Sequence, residues 1–291
     1  MNIIFAQPEI VRFEWELEVV ITNLQEVKPD ASIYILFSSF DPSISERLKE
    51  KYPHVNIYRY DDDRKDKSYI PSIRPYLWWK FLEENPEMQE EAFLYIDSDV
   101  IFREMITITE IGPTEWIGSD CSGYLSLEYI RNCKNGERIA KRMMSIIGIE
   151  EEKINELNGI MLGAQVYVNK PSIEFWKKVY EDCVKMWKMF VLQDTNLQIW
   201  TAEMWAQAWN MPLFGYTAKT NDDFLFSWAT DPIENWEKHK IFHNAGVTED
   251  RKELFFKGVY TDKTPFKEDF SKISPDFCSK MYVEAIKKVK I

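Results

Sequence analysis

AFLYIDSDVIF, Ala92 to Phe102, is the stretch on which the fold reading turns. Its first half, Ala92-Phe93-Leu94-Tyr95-Ile96, is an apolar run of strand length, and Val100-Ile101-Phe102 is apolar again. Between them stand Asp97 and Asp99, one residue apart. A buried strand carries two acids only where they are paired, hydrogen-bonded or bound to a cation. At the carboxyl end of a central strand of an α/β sheet, ligands bind in the crevice just outside. Two carboxylates there hold a divalent ion that also takes the phosphate oxygens of a nucleotide. In a chain with 48 Asp and Glu, two such acids recur by chance, and the alternative is a solvated turn between two strands. Their place at the end of an apolar run is what gives the pair meaning.

Upstream, strands alternate with helices. Asn2 to Ala6 is a strand ended by Gln7-Pro8. Phe13, Leu17, Val20, Ile21, Leu24 and Val27 recur at helical spacing, with Glu14, Glu16 and Glu18 between them, and Lys28-Pro29-Asp30 stops the helix. Ser32 to Phe37 reads as a second strand. Asp41 is the expected N-cap and Pro42 the first turn of a short helix. Val55 to Tyr60 is a third strand, running into Asp61-Asp62-Asp63, an acidic loop. This alternation implies parallel βαβ units. The next helix, within Ser68 to Asn85, has Pro75 near its start and Leu77, Trp78 and Phe81 on its apolar face. Arg74, just ahead of it, is placed to meet a diphosphate at a helix amino terminus, or is a plain surface arginine.

Downstream the pattern changes. Trp116-Ile117-Gly118 and Gly123-Tyr124-Leu125 read as strand-like pieces, Ile130 to Ile147 as helix, and Asn158-Gly159 as a turn. Ile160 to Val168 is a strand carrying Gly163-Ala164-Gln165, where a glycine permits a bulge or the close approach of a ligand. Ser172 to Met186 is an amphipathic helix, and Gln193 to Asn210 reads as another, with polar groups interrupting an aromatic face. Ile241 to Val247 is a short strand ending in His243-Asn244-Ala245-Gly246, where backbone at Gly246 can approach a phosphate. A basic helix from Lys280 closes the chain. No repeat, low-complexity stretch or linker divides the 291 residues, so one domain is expected over 1–291, with a nucleotide-binding half at 1–102 and an acceptor-binding half at 103–291 sharing one sheet.

Net charge is -12, which opposes long-range attraction to nucleic-acid phosphates or anionic membranes. The abundant aromatics are expected mostly in the core. Four cysteines without a CxxC pair, together with three histidines, build no Cys/His zinc site by spacing; a reduced, cytoplasmic chain is the simple expectation. The amino terminus lacks the basic and apolar regions of a signal peptide, and no run approaches a membrane span, which points to a soluble bacterial or viral protein or to a chain trimmed of its anchor.

The order of strand, helix, Asp-Ser-Asp strand, Gly-Ala-Gln strand, carboxylate-bearing helix and late histidine resembles a metal-dependent GT-A glycosyltransferase. The likeness is to retaining families in which a late His completes the metal site. His243-Asn244-Ala245-Gly246 is similar to their late His-x-x-Gly segment, and Gln193-Asp194 to a Gln-Asp pair that faces the donor sugar. Trp200 to Ala206 also looks like a helix in plant peptide arabinosyl- and galactosyltransferases. The resemblance implies an α/β fold, a single GT-A domain with a Rossmann-like mixed β-sheet flanked by helices. It implies Asp97, Asp99 and His243 as ligands of Mn²⁺ or Mg²⁺, and a nucleotide-sugar donor, UDP-linked. It puts Ala6, Gln7, Arg74, Ser98, Gln165, Gly246 and Lys257 at the cofactor, and Gln193, Asp194 and Glu203 at the chemistry. The Lys-Pro-Trp that often follows the late glycine is missing here, and Lys252 and Lys257 are its candidate substitutes.

Two other classes compete. A nucleotidyltransferase or pyrophosphorylase needs a Gly-rich basic loop after the first strand, where this chain has Gln7-Pro8-Glu9. A non-catalytic nucleotide-sugar-binding module would share the site without turnover. The acceptor hydroxyl can belong to a glycan, a peptide or a modified nucleobase.

Overall fold

The computed structural model describes residues 1–108 and 111–290. Its strands form two sheets, a seven-stranded one in the order β3-β2-β1-β4-β7-β6-β8 and a three-stranded one in the order β5-β10-β9. These are β1 (Asn2–Pro8), β2 (Ser32–Ser38), β3 (Asn56–Tyr60), β4 (Ala92–Tyr95), β5 (Val100–Phe102), β6 (Glu115–Asp120), β7 (Leu162–Asn169), β8 (Thr217–Lys219), β9 (Phe226–Trp228) and β10 (Ile241–His243). Parallel and antiparallel pairs mix in the large sheet, as expected of a helix-flanked α/β fold. No helix among the described residues is long and apolar enough to cross a membrane.

The chain divides into two compact units. The first comprises Met1–Arg59, Ile96–Thr109 and Asn221–Ile291. Here β1 runs parallel to β2 with Asn2 opposite Ser32 and Pro8 opposite Ser38. Ile3, Ile4, Phe5, Ile35 and Leu36 are all fully buried, the near-continuous apolar run of a strand covered on both faces. Between these strands lies α1 (Val11–Val27), and after them α2 (Pro42–Lys51), capped as expected by the Asp41 carboxylate accepting from Ser43 N at 3.1 Å. Every residue of α1 from Glu14 to Ile21 is buried, its three acids included. Each acid has a partner: Arg47 forks onto Glu14 at 2.6 and 2.7 Å, Lys51 pairs with Glu18, and Arg12 Nε lies 2.9 Å from Glu16. The acids set between the apolar positions of this helix are internal charges of the unit.

β5 belongs to the small sheet, not to the sheet of β4, so the two apolar halves of the decisive stretch part company at the acids. β5 is an edge strand, and Asn23 of α1 covers it: Nδ2 donates to Phe102 O at 2.9 Å and Oδ1 accepts from Phe102 N at 2.8 Å. An amide thereby does for the edge what another strand would do.

The second unit comprises Tyr60–Tyr95 and Glu110–Thr220. β4 and β6 both run antiparallel to β7, with Tyr95 opposite Val166 and Ile117 opposite Tyr167. The β6–β7 register shifts between Gly118 and Ser119, and Ala164 opposite this point has φ +60°, so β7 carries the irregularity that its glycine allows. Helix α3 (Ile73–Glu84) and the helix Ile173–Phe190 meet through Trp78 and Trp176, stacked at 4.9 Å and 10°. Trp116 stacks on Trp176 at 6.0 Å, so these aromatics are core, as expected. All four cysteines are buried, three in this unit and Cys278 in the first.

Three local readings need correction. Gly123-Tyr124-Leu125 is not strand-like: Ser122–Leu125 is a helical turn, begun where Asp120 takes Ser122 N at 2.9 Å. The helix expected over 130–147 is two, Leu127–Asn132 and Gly136–Ile147, broken at Asn135 with φ +60°. Gly136 there presses on the preceding helix, and a Cβ would sit 1.9 Å from Ile130 O. The helix expected from Gln193 begins only at Ala202, because polar side chains hold the backbone before it: Thr195 Oγ1 accepts from Leu197 N at 3.2 Å, and Tyr69 Oη donates to Trp200 O at 2.6 Å.

Asn23→Ala leaves the Phe102 backbone groups without their partner, which costs about 2 kcal/mol. Urea unfolding should show it as a lower midpoint at unchanged slope; an unchanged midpoint would show that the amide bonds add no net stability.

Candidate functional site

Residue pairing along β5 and β10 assembles the site. The strands are antiparallel with His243 opposite Val100, so the late histidine arrives beside the acids that precede β5. Ile96 N donates to Ile4 O at 3.4 Å, tying the start of the acidic turn to β1, and Val100 N closes it on Asp97 O at 3.3 Å. Asn244 N then donates to Asp99 O at 2.9 Å. His243 Nε2 lies 3.3 Å from Asp99 Oδ1 and 3.6 Å from Asp97 Oδ2. Trp228 of β9 stacks on the imidazole, 5.9 Å between centroids and 11° from parallel, which fixes the ring plane.

The acids differ in setting. The Asp99 side chain is 5% exposed and that of Asp97 37%. Lys257 Nζ bonds Asp99 Oδ2. Burial alone would push the Asp99 carboxyl up; Lys257 and His243 override it and hold the group well below the usual carboxylate range. Burial likewise pushes the His243 imidazole down, but Asp99 and Asp97 outweigh it and the net shift is upward. Ser98, between the two acids, turns inward: its Oγ donates to Glu16 Oε2 at 2.6 Å, and Arg12 holds the other oxygen of Glu16. Burial, then the charge of Asp99, pushes the Glu16 carboxyl up, against Arg12 and Lys257.

These residues fit a divalent cation. One ligand atom from each of Asp97, Asp99 and His243 lies within 4.8 Å of the others. Two carboxylates and an imidazole form a mixed O/N set for a divalent ion. Immediately beyond His243, the Asn244 side-chain amide is buried with neither atom hydrogen-bonded, a polar group that calls for a water or a ligand.

The other residues singled out in the sequence fall as follows. Ala6 and Gln7 are buried in β1, opposite Leu36 and Phe37. Gly246 has φ +82°, a left-handed turn that a glycine adopts freely. Lys252 is exposed and lies 3.9 Å from Glu249, so of the two candidate lysines only Lys257 reaches the acids. In the second unit, Arg74 Nη1 donates to Gln207 Oε1 at 2.6 Å, lies 3.6 Å from Glu203, and has its guanidinium over the Tyr95 ring at 5.1 Å. Glu203 N donates to Tyr69 Oη at 3.0 Å. Buried Gln165 accepts from Ser119 Oγ at 2.7 Å. Gln193 Nε2 donates to Met189 O at 3.0 Å and its Oε1 accepts from Arg138 at 3.1 Å, while exposed Asp194 pairs with Lys134. Asp97, Asp99, His243 and Lys257 are thus brought together in the first unit, and Arg74 with Glu203 in the second. Sequence reasoning missed Glu16, Arg12, Trp228 and Asn244; an acid amid the apolar positions of α1 was the one visible signal.

No protein-family model matches the sequence, and no curated protein does. Solved structures do. The galactosyltransferase LgtC in complex with donor and acceptor sugar analogues is similar with a TM-score of 0.54 at 14% identity, over 100% of this chain and 97% of that one. An active-site mutant of LgtC gives 0.55 at 14% identity and the same coverage. The bifunctional glycosyltransferase WbbM in its apo form gives 0.53 at 11% identity over 99% of this chain, which spans 49% of the length of that one. The chain therefore has the fold of GT-A glycosyltransferase structures.

Proposed function

We propose that this protein is a metal-dependent glycosyltransferase that moves a sugar from a UDP-sugar to a hydroxyl acceptor with retention of configuration. One observation carries the reading: the acids before β5 and the histidine ending β10 converge into a metal-sized O/N cluster. The shared GT-A fold supports it.

Asp97, Asp99 and His243 hold Mn²⁺ or Mg²⁺ in this reading. A divalent ion held there would supply positive charge to offset what builds on the leaving diphosphate. Trp228 and Asp99 fix the imidazole so that Nε2 faces the acids. Glu16 and Arg12 fix Ser98, and with it the turn that presents both carboxylates. Backbone at Gly246 and the ammonium of Lys257 approach the phosphates. Ala6 and Gln7, near the carboxyl end of β1, line the nucleotide-sugar. The acceptor hydroxyl attacks the sugar on the face that the phosphate leaves.

Asp99→Asn should abolish Mn²⁺ binding and transfer while the fold persists, and EDTA should silence the native protein. Full activity in either case would sink the metal reading.

His243→Ala should weaken Mn²⁺ by more than the roughly ten- to hundredfold that loss of an outer hydrogen-bonding partner costs. UDP affinity should fall only when the metal is present. A packed histidine without a metal role would instead lower the melting temperature and leave Mn²⁺ affinity intact in calorimetry.

The upward shift at His243 adds a pH signature. A proton on the ring competes with the ion, so Mn²⁺ affinity is full above the shifted value and falls as the pH drops through it. Titrations in which affinity is flat from pH 8 to about pH 5, well beneath an ordinary histidine pKa, would remove His243 from the ligand set.

A further inference from the structure

We propose that Lys257 is an internal cation that stands in for the metal at Asp99, and that it thereby couples binding of the ion to binding of the diphosphate. This rests on the metal reading above and adds to it the control of affinity.

Both oxygens of the buried Asp99 carboxylate are already met. Lys257 Nζ bonds Oδ2, and His243 Nε2 is 3.3 Å from Oδ1. A buried carboxylate needs such compensation, because an unpaired charge out of water is costly. With Lys257 in place and a neutral imidazole, Asp97, Asp99 and Lys257 together carry one negative charge. A divalent ion entering this cluster turns it positive by one. The ion alone is therefore opposed by the ammonium, and a diphosphate restores the balance.

The segment around Lys257 is built for a fixed backbone and a mobile head. Lys257–Tyr260 is one tight 3₁₀ turn. Its far end is pinned to α1, where Trp15 Nε1 donates to Tyr260 O at 2.8 Å. Gly258 lies over the Phe256 ring, where a Cβ would come within 2.3 Å of Phe256 Cζ. The Lys257 side chain is itself 24% exposed, so the ammonium has a way out towards solvent. Lysine chemistry suits such an exchange, since a compact point charge on a four-carbon stem can leave a carboxylate for a phosphate without moving its backbone. By linkage, whatever the diphosphate gains from the ion the ion gains from the diphosphate.

The test is calorimetric titration of the whole chain with MnCl₂, alone and with saturating UDP, for the native protein, Lys257→Met, Lys257→Arg and Asp97→Asn. Lys257→Met should bind Mn²⁺ alone at least about tenfold tighter, since a unit charge a few ångströms from the ion is gone. It should bind UDP in the presence of Mn²⁺ more weakly, so that the mutual enhancement between the two ligands collapses. Lys257→Arg keeps the charge and should keep the native Mn²⁺ affinity. Equal or weaker Mn²⁺ binding by Lys257→Met, with native binding still abolished by Asp97→Asn, overturns the role of Lys257 alone. No Mn²⁺ binding by either the native protein or Lys257→Met overturns the metal reading and this role with it.

Discussion

Three residue pairs hold the site together: Ile241 with Phe102, Phe242 with Ile101, and His243 with Val100. Strands this short are not stable by themselves. Their stability is borrowed. Ile101 and Phe242 sit in a buried cluster with Trp15, Tyr282 and Val283, so the closing helix Ser279–Lys288 is as much a part of the site's support as α1. Asn23 seals one edge of the small sheet, and β9 pairs with β10 on the other side, bringing Trp228 over the histidine. Elements from the start, the middle and the end of the chain therefore fix one imidazole against two carboxylates.

Charge is handled inside this unit in an unusual density. Glu9 is fully buried, with Arg59 forked onto it at 2.8 Å on each oxygen and Phe40 N donating at 2.9 Å. Glu14, Glu16 and Glu18 are buried on one helix with their own partners. Buried pairs contribute little net stability over an apolar equivalent, but removing one partner is expensive. Their use here is geometric: the same helix that packs the core presents an acid to Ser98, and the turn that carries Asp97 and Asp99 inherits its orientation.

Much of this was legible in the sequence. The apolar run before Asp97 announced a strand, and Asp41-Pro42 announced a helix start that the structure keeps. The alternation up to Phe102 gave the parallel β1–β2 pair. What escaped was tertiary. Period and composition do not say that β5 leaves the sheet of β4, because both halves are equally apolar. Nor do they say that an acid at position 16 faces inward, since its partners Arg12 and Ser98 are one turn and 82 residues away. The late start of the helix at Ala202 escaped for a similar reason: a tyrosine hydroxyl from Tyr69 decides it.

The burial of all four cysteines has a practical meaning. A thiolate is the reactive form, and burial drives the Cys183 thiol far from it. The native chain should be nearly inert to alkylating reagents, and each thiol should react only when the structure around it opens. Cys278 lies in the unit that carries the acids, and Cys121, Cys133 and Cys183 lie in the other. The protein thus contains its own pair of chemical clocks, one per unit. The order in which mass-resolved alkylation reaches them would show which unit loosens first, with no label added.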